Sequence, residues 1–440
     1  MPDDGCLRAP GTKAGLTQPR RRALLSRLGP GLISGAADDD PSGIVTYSQA
    51  GAQIGFAACW IVLLCYPLMV VTQEISARVG RATGGGVVAA LRAHCPGWAV
   101  PGVVALVVFA NTVNLGADLG AMADVLSTLL GGPRLAYAAL SGAACAGLLL
   151  RLRLGIYVRF VKWAALSLAV YVLAAFRAAS PWSGLLHHLP GPELLRDAPS
   201  MAILVAVLGT TISPYLFIWQ SSLEGEQTRG EQVRGEPGLN SRGAAGLADE
   251  ERLRIRADTC AGMAVAVLVA CAVVLTAAST LHASGVVAIE TTTQAAEELR
   301  RVAGPWTRLL FSLGIVATGL LAVPMLAGSA AFAVGEGLGW TCGLARAPGE
   351  ARAFYGCIVA ATAAGMAINL LGLDPVRLLL WSAVINGVLA APVLAAIMLV
   401  ASRREIMGQL VLSRPLAALG WLATAVMAVT ALGLLGTIGY

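Results

Sequence analysis

The chain contains about eleven apolar runs, and each is long enough to cross a membrane as a helix, which takes roughly 20 apolar residues. Only 13% of the 440 residues are charged, whereas soluble domains carry about 25%. So little polar surface could not cover a water-soluble body. The sequence therefore predicts an all-α integral membrane protein. The runs span residues 28–53, 56–77, 99–123, 131–150, 155–178, 199–222, 257–281, 305–336, 353–374, 376–401 and 412–437.

The distribution of arginine predicts how the chain is oriented. Arginines are concentrated in the basic tail of residues 1–27 and in every second loop after it. Because such loops stay in the cytoplasm, we expect a cytoplasmic N-terminus, and an odd number of crossings puts the C-terminus outside. Residues 28–440 then form a single multi-pass transmembrane domain. The excess of alanine, glycine and arginine suggests a GC-rich bacterium, and hence its plasma membrane (the inner membrane).

The distribution of arginine also bears on the binding partners of the chain. The net charge of +6 comes from short loops beside the lipid bilayer, so it does not indicate a nucleic-acid partner. No obligate protein partner is evident. One long loop, residues 224–251, is rich in glycine, glutamate and arginine, and it is predicted to be a flexible cytoplasmic linker.

The first apolar run is interrupted by Asp38-Asp39-Asp40-Pro41. Carboxylates near the middle of a membrane are expensive unless they face water, protein or a cation. Pro41 keeps Asp40 out of the helical region. Asp40 is also a favoured N-cap, and proline is favoured at the first helical position. The sequence therefore predicts two half-helices that meet at Asp40.

The sixth run repeats this arrangement, with Ser213 as a predicted N-cap and Pro214 at the first helical position. Five runs separate the two breaks, so they occupy matching places in two five-helix halves, residues 28–178 and 199–401, with 412–437 as an extra helix. An odd offset inverts the second half, which is typical of transporters that bind substrate between two broken helices. Unwound carbonyls there can bind a cation. We expect Asp40 to contact the ion, and Asp39 is a weaker candidate.

At these breaks the chain resembles the Nramp family of divalent metal transporters. That family carries D-P-G-N in its first helix and M-P-H in its sixth, where this chain has residues 40–43 (DPSG) and 213–215 (SPY). Residues 73–80 and 114–119 also resemble the family's second and third helices. The resemblance implies a LeuT-type fold with about eleven transmembrane helices, in two inverted repeats plus one, that works by alternating access.

The resemblance also implies a ligand set, from which this chain departs. The family's aspartate is kept as Asp40, but its asparagine is Gly43 here, its methionine is Ser213, and the carbonyl ligand falls on Thr210. A site without sulfur suits Mg²⁺, Ca²⁺ or Mn²⁺, and a roomy pocket suits a partly hydrated Mg²⁺. The pattern looks like the Nramp-related magnesium transporters. The sequence thus puts Mg²⁺ ahead of Mn²⁺ as the transported ion, with no cofactor.

Proton coupling is predicted to be weak or absent. The family's sixth-helix histidines align with Tyr215 and Gln220, so no membrane histidine can relay protons. Asp118 matches an aspartate of the family's proton pathway, but a glutamate three residues later is Ala121 here. Gln220 and Asp118 stay candidates around the site. Asn386 is a further candidate, although a bond between helices would explain it equally well.

Two other transport functions stay open. One is a proton-coupled Mn²⁺ or Fe²⁺ carrier of the Nramp type, with coupling rebuilt on Asp38 or Asp39. The other is a Na⁺-coupled carrier of an organic solute on the same fold, although carboxylates beside the break disfavour an anionic substrate. The chain has no H-E-x-x-H or G-x-S-x-G motif, so it is not predicted to be an enzyme.

Overall fold

The computed structural model describes residues 29–151, 169–177, 191, 198–234, 244–289 and 307–438. The basic tail of residues 1–27 and most of the fifth predicted run lie outside these ranges. Within them every regular element is helical. The α-helices are α1 (Pro30–Asp38), α2 (Pro41–Ile54), α3 (Ala57–Thr83), α4 (Val87–His94), α5 (Ala99–Leu130), α6 (Arg134–Arg151), α7 (Ala169–Arg177), α8 (Ala198–Thr211), α9 (Pro214–Val233), α10 (Ala244–Ala277), α11 (Thr307–Leu338), α12 (Arg352–Ile368), α13 (Pro375–Ala401), α14 (Arg404–Met407) and α15 (Arg414–Ile438).

Eight candidate membrane spans occur in the described part of the chain, judged by helix length and apolar composition. They correspond to the second, the third and the sixth to eleventh predicted runs. The first run is divided between α1 and α2, and α6 takes the place of the fourth. The prediction of a multi-span helical membrane protein is therefore confirmed. The boundaries of the two inverted halves stay a prediction.

The broken helices lie in the middle of the bundle. α1 packs mainly against α10, α9 against α3, and α8 against α13, while α5 and α11 pack against each other beside them. Nearly all residues of α1 and α2 are buried, and so is the part of α8 next to its break, from Val205 to Thr211. The four half-helices are therefore surrounded by protein at the breaks, and interrupted backbone is tolerated at membrane depth where protein buries it.

Glycines let two of these half-helices approach their neighbours closely. A Cβ atom added to Gly35 of α1 would lie 2.1 Å from the carbonyl oxygen of Gly262 on α10. A Cβ added to Gly209 of α8 would lie 2.1 Å from the carbonyl oxygen of Ala383 on α13. Small residues permit such backbone contact between membrane helices. The glycines thus fix where each half-helix lies against the surrounding bundle.

The prediction of a flexible linker over residues 224–251 is wrong for most of its length. α9 continues to Val233 and α10 begins at Ala244, so only residues 235–243 lie outside the described structure. The carboxylate of Glu224 is buried and pairs with Arg254 at 2.6 Å. Arg81 of α3 pairs with Glu231 at 2.6 Å and with Glu251 at 3.1 Å. These partners from other helices stabilise helical structure that glycine and charge composition alone did not indicate.

Candidate metal-binding site

The first break lies where the sequence predicts it. α1 ends at Asp38, Asp40 has an extended backbone with φ −69° and ψ 172°, and Pro41 begins α2. One oxygen of Asp40, Oδ1, accepts a hydrogen bond of 2.6 Å from the backbone nitrogen of Gly43. Asp40 is therefore an N-cap of α2, as predicted. The carboxylate is held at the positive end of the half-helix, where an anion is stabilised.

The second break has the predicted position but a different cap. Ser213 is extended, with φ −88° and ψ 134°, between the end of α8 at Thr211 and Pro214, the first residue of α9. Its hydroxyl does not cap α9. It points back to α8 and lies 2.6 Å from the carbonyl oxygen of Gly209 and 3.0 Å from that of Thr210. Two predicted ligands, Ser213 and the Thr210 carbonyl, are thus within hydrogen-bonding distance of each other.

The two breaks meet at Gly43. A Cβ atom placed on Gly43 would lie 3.2 Å from the carbonyl oxygen of Asp38, 3.2 Å from the hydroxyl of Thr210 and 3.4 Å from Oδ1 of Asp40. The side of Gly43 that lacks a Cβ therefore faces three oxygens, two from the first break and one from the second. Tyr215 strengthens this junction, because its hydroxyl donates a hydrogen bond of 2.8 Å to the carbonyl oxygen of Ala37.

The other oxygen of Asp40 is held by residues that the sequence pattern did not assign to the site. Asn114 of α5 donates from Nδ2 to Oδ2 of Asp40 at 3.0 Å. Ser382 of α13 lies 2.9 Å from Oδ1 of Asn114 and 3.2 Å from the hydroxyl of Ser42. Asn114 belongs to a segment that resembles the Nramp third helix, and a buried polar residue in an apolar helix is the signal that could have found it.

The remaining candidates divide into those at the break and those away from it. Asp118 lies at the break, where its Oδ1 accepts a bond of 3.3 Å from the backbone nitrogen of Ser42. Gln220 points away and donates to the hydroxyl of Thr259 at 3.1 Å. Asn386 is buried on α13, but no described hydrogen bond joins it to either break. Asp39 is fully buried, and its carboxylate has no hydrogen-bond partner in the described structure.

The arrangement can bind a hard cation with oxygen. Among the described residues no three His, Cys, Asp or Glu side chains converge to hold a metal. Among the three oxygens that face Gly43, the one from Asp40 belongs to a carboxylate, while the Thr210 hydroxyl and the Asp38 carbonyl are neutral. An ion held by few protein oxygens keeps some of its water, which Mg²⁺ does readily. Asp40 and Thr210 are at most 3% exposed, so the site is closed to solvent on both sides.

Comparison with known proteins decides the family. The sequence profile described as "Natural resistance-associated macrophage protein-like" (Nramp) matches residues 31–437. The chain belongs to the Nramp family. It is accordingly a multi-pass membrane metal transporter and not an enzyme, as the sequence predicted.

Relatives of the chain agree with this membership. The chain is 28% identical to the divalent metal cation transporter MntH of Deinococcus radiodurans, over 96% of this chain and 92% of the relative. It is also 28% identical to MntH of Yersinia enterocolitica, over 93% of this chain and 95% of that protein. The branch of magnesium transporters is not among these names, so it stays a prediction.

Two solved structures support the fold. A mutant form of the manganese transporter of Eremococcus coleocola superposes with a TM-score of 0.74 at 15% identity, over 97% of this chain and 88% of that one. MhsT in complex with L-phenylalanine superposes with a TM-score of 0.58 at 13% identity, over 94% of this chain and 98% of that one. At these identities the likeness shows the fold alone. That fold is the LeuT type, so the fold prediction is confirmed.

Proposed function

We propose that this Nramp protein carries a divalent metal cation across the bacterial plasma membrane by alternating access, with the ion between the two breaks. The observation that carries the proposal is the group of oxygens around Gly43. The Asp38 carbonyl, the Thr210 hydroxyl and Oδ1 of Asp40 converge on the side of Gly43 that lacks a side chain, each within 3.4 Å of the position that a Cβ would take. A buried carboxylate next to neutral oxygens is the donor set that hard divalent cations prefer.

Mn²⁺ is the first candidate for the transported ion. The relatives are named for divalent metal cations, and the superposed Eremococcus protein is named for manganese. Mn²⁺ accepts carboxylate, carbonyl and water ligands. The sequence pattern put Mg²⁺ first, and Mg²⁺ stays the second candidate. The support for it is the absence of sulfur at Ser213 and of a side-chain ligand at Gly43, because an ion with few protein ligands keeps part of its water shell.

The packing around α8 supports alternating access. A mainly apolar cavity of about 390 Å³ lies between α2, α8, α13 and α15, with Ala206 and Val384 in its wall. One turn further along these two helices, Gly209 and Gly387 touch, because a Cβ on Gly209 would lie 2.3 Å from the backbone nitrogen of Gly387. Separation of α8 from α13 would connect the cavity to Thr210. In the predicted orientation, this cavity opens towards the outside.

One structural observation opposes the sequence prediction of weak proton coupling. The carboxylates of Asp38 and Asp39 are buried, and neither oxygen of either one has a hydrogen-bond partner in the described structure. An unpaired charge is very expensive inside a membrane protein. This favours the carrier in which a proton accompanies the metal on Asp38 or Asp39. Metal flux measured together with internal pH distinguishes a proton-coupled carrier from an uncoupled one.

Proteoliposome uptake of Mn²⁺, Mg²⁺, Ca²⁺ and Cd²⁺, with a pH dye inside the vesicles, tests the proposal. We expect uptake of Mn²⁺ or Mg²⁺ that Asp40→Ala abolishes. Internal acidification in step with metal uptake would establish proton coupling, and metal uptake without it would establish its absence. A wild-type protein that moves none of these ions would refute the proposed function, and so would full metal uptake by Asp40→Ala.

The matched control is Asp374→Ala. Asp374 also precedes a proline and caps a helix, since its Oδ1 accepts from the backbone nitrogen of Val376 at 2.8 Å. Removing either cap costs about 1 kcal/mol of helix stability. Asp374 is exposed and lies outside the break. We therefore expect Asp374→Ala to keep metal uptake, which separates the loss of a cap from the loss of a ligand.

A further inference from the structure

A buried amide lies between Asp40 and Ser382. It belongs to Asn114, which is 1% exposed and lies on α5. Its Nδ2 is 3.0 Å from Oδ2 of Asp40, and its Oδ1 is 2.9 Å from the hydroxyl of Ser382. Both ends of the amide therefore have a polar partner. One of those partners is the carboxylate on which the proposed metal site depends.

The hydroxyl of Ser382 does not determine which way this amide faces. It lies 2.7 Å from the carbonyl oxygen of Leu379 as well as 2.9 Å from Asn114. A serine hydroxyl has one hydrogen and two lone pairs. When that hydrogen is donated to Leu379, the lone pairs of Ser382 can accept an N–H from Asn114. Ser382 can thus form a hydrogen bond with either the oxygen or the N–H group of the amide.

Asp40 is the partner that holds the amide in its present orientation. An ionised carboxylate only accepts hydrogen bonds, so without an ion it attracts Nδ2 and repels Oδ1. A divalent cation beside Oδ2 reverses this preference, because the ion attracts the amide oxygen and repels the N–H group. Binding of the metal therefore supplies a physical reason for the amide to turn over.

The spacing of the two side chains fits such a ligand pair. Two oxygens at neighbouring corners of an octahedron, each about 2.1 Å from the ion, lie about 3.0 Å apart. Oδ2 of Asp40 and the amide nitrogen of Asn114 are 3.0 Å apart. A turn of the amide by half a revolution puts its oxygen at this position. Neither backbone needs to move.

We propose that Asn114 is a ligand of the transported metal, with its Oδ1 beside Oδ2 of Asp40 on the ion. This rests on the proposed function, because it assumes a divalent ion at Asp40. In the loaded site, Nδ2 of Asn114 donates to the hydroxyl of Ser382. Gly43 offers no side-chain oxygen at the break, and Asn114 supplies one from a different helix, 74 residues along the chain from Asp40.

The alternative role for Asn114 is that of a hydrogen-bond donor only. In that role its N–H group would hold Asp40 in place and never touch the ion. The two roles predict opposite behaviour for an aspartate at this position. Asn114→Asp keeps an oxygen for the metal but has no N–H group, and without a metal its charge repels Asp40. Asn114→Leu has a similar size and removes both the oxygen and the N–H group.

The test measures the KM for Mn²⁺ uptake in proteoliposomes and the rise in melting temperature with added Mn²⁺. For Asn114→Leu we expect a loss of Mn²⁺ affinity of about 10-fold or more, the range typical when a side chain that supports a metal is removed. For Asn114→Asp we expect an Mn²⁺ affinity close to that of the wild type. The proposal would be overturned if Asn114→Leu kept the wild-type Mn²⁺ affinity. It would also be overturned if Asn114→Asp lost as much Mn²⁺ affinity as Asn114→Leu.

Controls separate this result from misfolding and from failure of the proposed function. Asn369→Asp changes another buried asparagine that contacts α5, through the carbonyl oxygen of Gly116 at 2.9 Å, and it should keep wild-type affinity. If Asn114→Leu does not fold, Asn114→Asp decides by itself: retained affinity supports the ligand role and a loss of about 10-fold refutes it. A wild-type protein with no Mn²⁺ or Mg²⁺ response refutes the proposed function, and this inference with it.

Discussion

Gly43→Ala should reduce metal uptake without destabilising the protein. The added methyl group would lie 3.2 Å from the Asp38 carbonyl and from the Thr210 hydroxyl, only 0.2 Å inside ordinary contact at 3.4 Å. Alanine also gains about 0.5–1 kcal/mol over glycine inside a helix. The two effects oppose each other, so we expect the free energy of unfolding to change by less than about 1 kcal/mol.

The ion is affected far more strongly by this substitution. A bound Mg²⁺ needs oxygens at about 2.1 Å, and the methyl group would push against the three oxygens that face Gly43. We therefore expect uptake to fall by about 10-fold or more, the loss seen when the surroundings of a metal site are disturbed. The measurements are the initial rate and KM of Mn²⁺ uptake in proteoliposomes, with melting temperature measured on the same preparation.

Gly51→Ala is the matched control on the same helix. A Cβ there would lie 2.6 Å from the carbonyl oxygen of Val274 and 2.8 Å from Cβ of Ala277, far from Asp40 along α2. Overpacking of this kind costs about 1–3 kcal/mol, so the melting temperature should fall while the KM stays unchanged. If Gly43→Ala instead transports with wild-type KM, the space beside Gly43 is not part of the ion site.

Three further variants test other parts of the structure. Ser213→Met combined with Gly43→Asn adds a soft thioether, and we expect a higher ratio of Cd²⁺ to Mn²⁺ uptake; an unchanged flux ratio would place selectivity elsewhere. Glu224→Gln weakens the buried ion pair with Arg254 and should lower the free energy of unfolding by about 2 kcal/mol. The loss is smaller than for a fully broken pair, because Glu251 still pairs with Arg254. An unaltered melting curve would contradict this. Asp258→Ala frees three backbone amides at the start of α1, so hydrogen exchange should accelerate there, and equal exchange rates would show that the carboxylate is dispensable.

The two breaks could be predicted from sequence because their causes are local. Pro41 and Pro214 each lack the N–H that a continuous helix needs, and each follows a residue that favours a cap. In the structure, α2 and α9 begin at these prolines. Their matching places along the chain indicated two halves, and the family membership and fold agree with that interpretation.

The contacts around the breaks could not be read from the sequence in the same way. Ser213 was predicted to cap α9, but its hydroxyl bonds back to α8, because a short side chain between two half-helices can reach the carbonyls of either one. Residues 224–251 have the composition of a linker, and only ion pairs with Arg81 and Arg254 explain why α9 and α10 extend into it. Such pairs join residues far apart in the chain.

The sequence by itself determined the environment, the breaks and the family, because apolar length, proline and intramembrane charge act through neighbouring residues. Only the tertiary structure decided which oxygens meet at the break. Asn114 lies 74 residues from Asp40, and Ser382 lies 268 residues from Asn114, yet they hold one carboxylate together. Helix packing brings these side chains together, and a linear pattern does not encode which face of each helix turns towards the break.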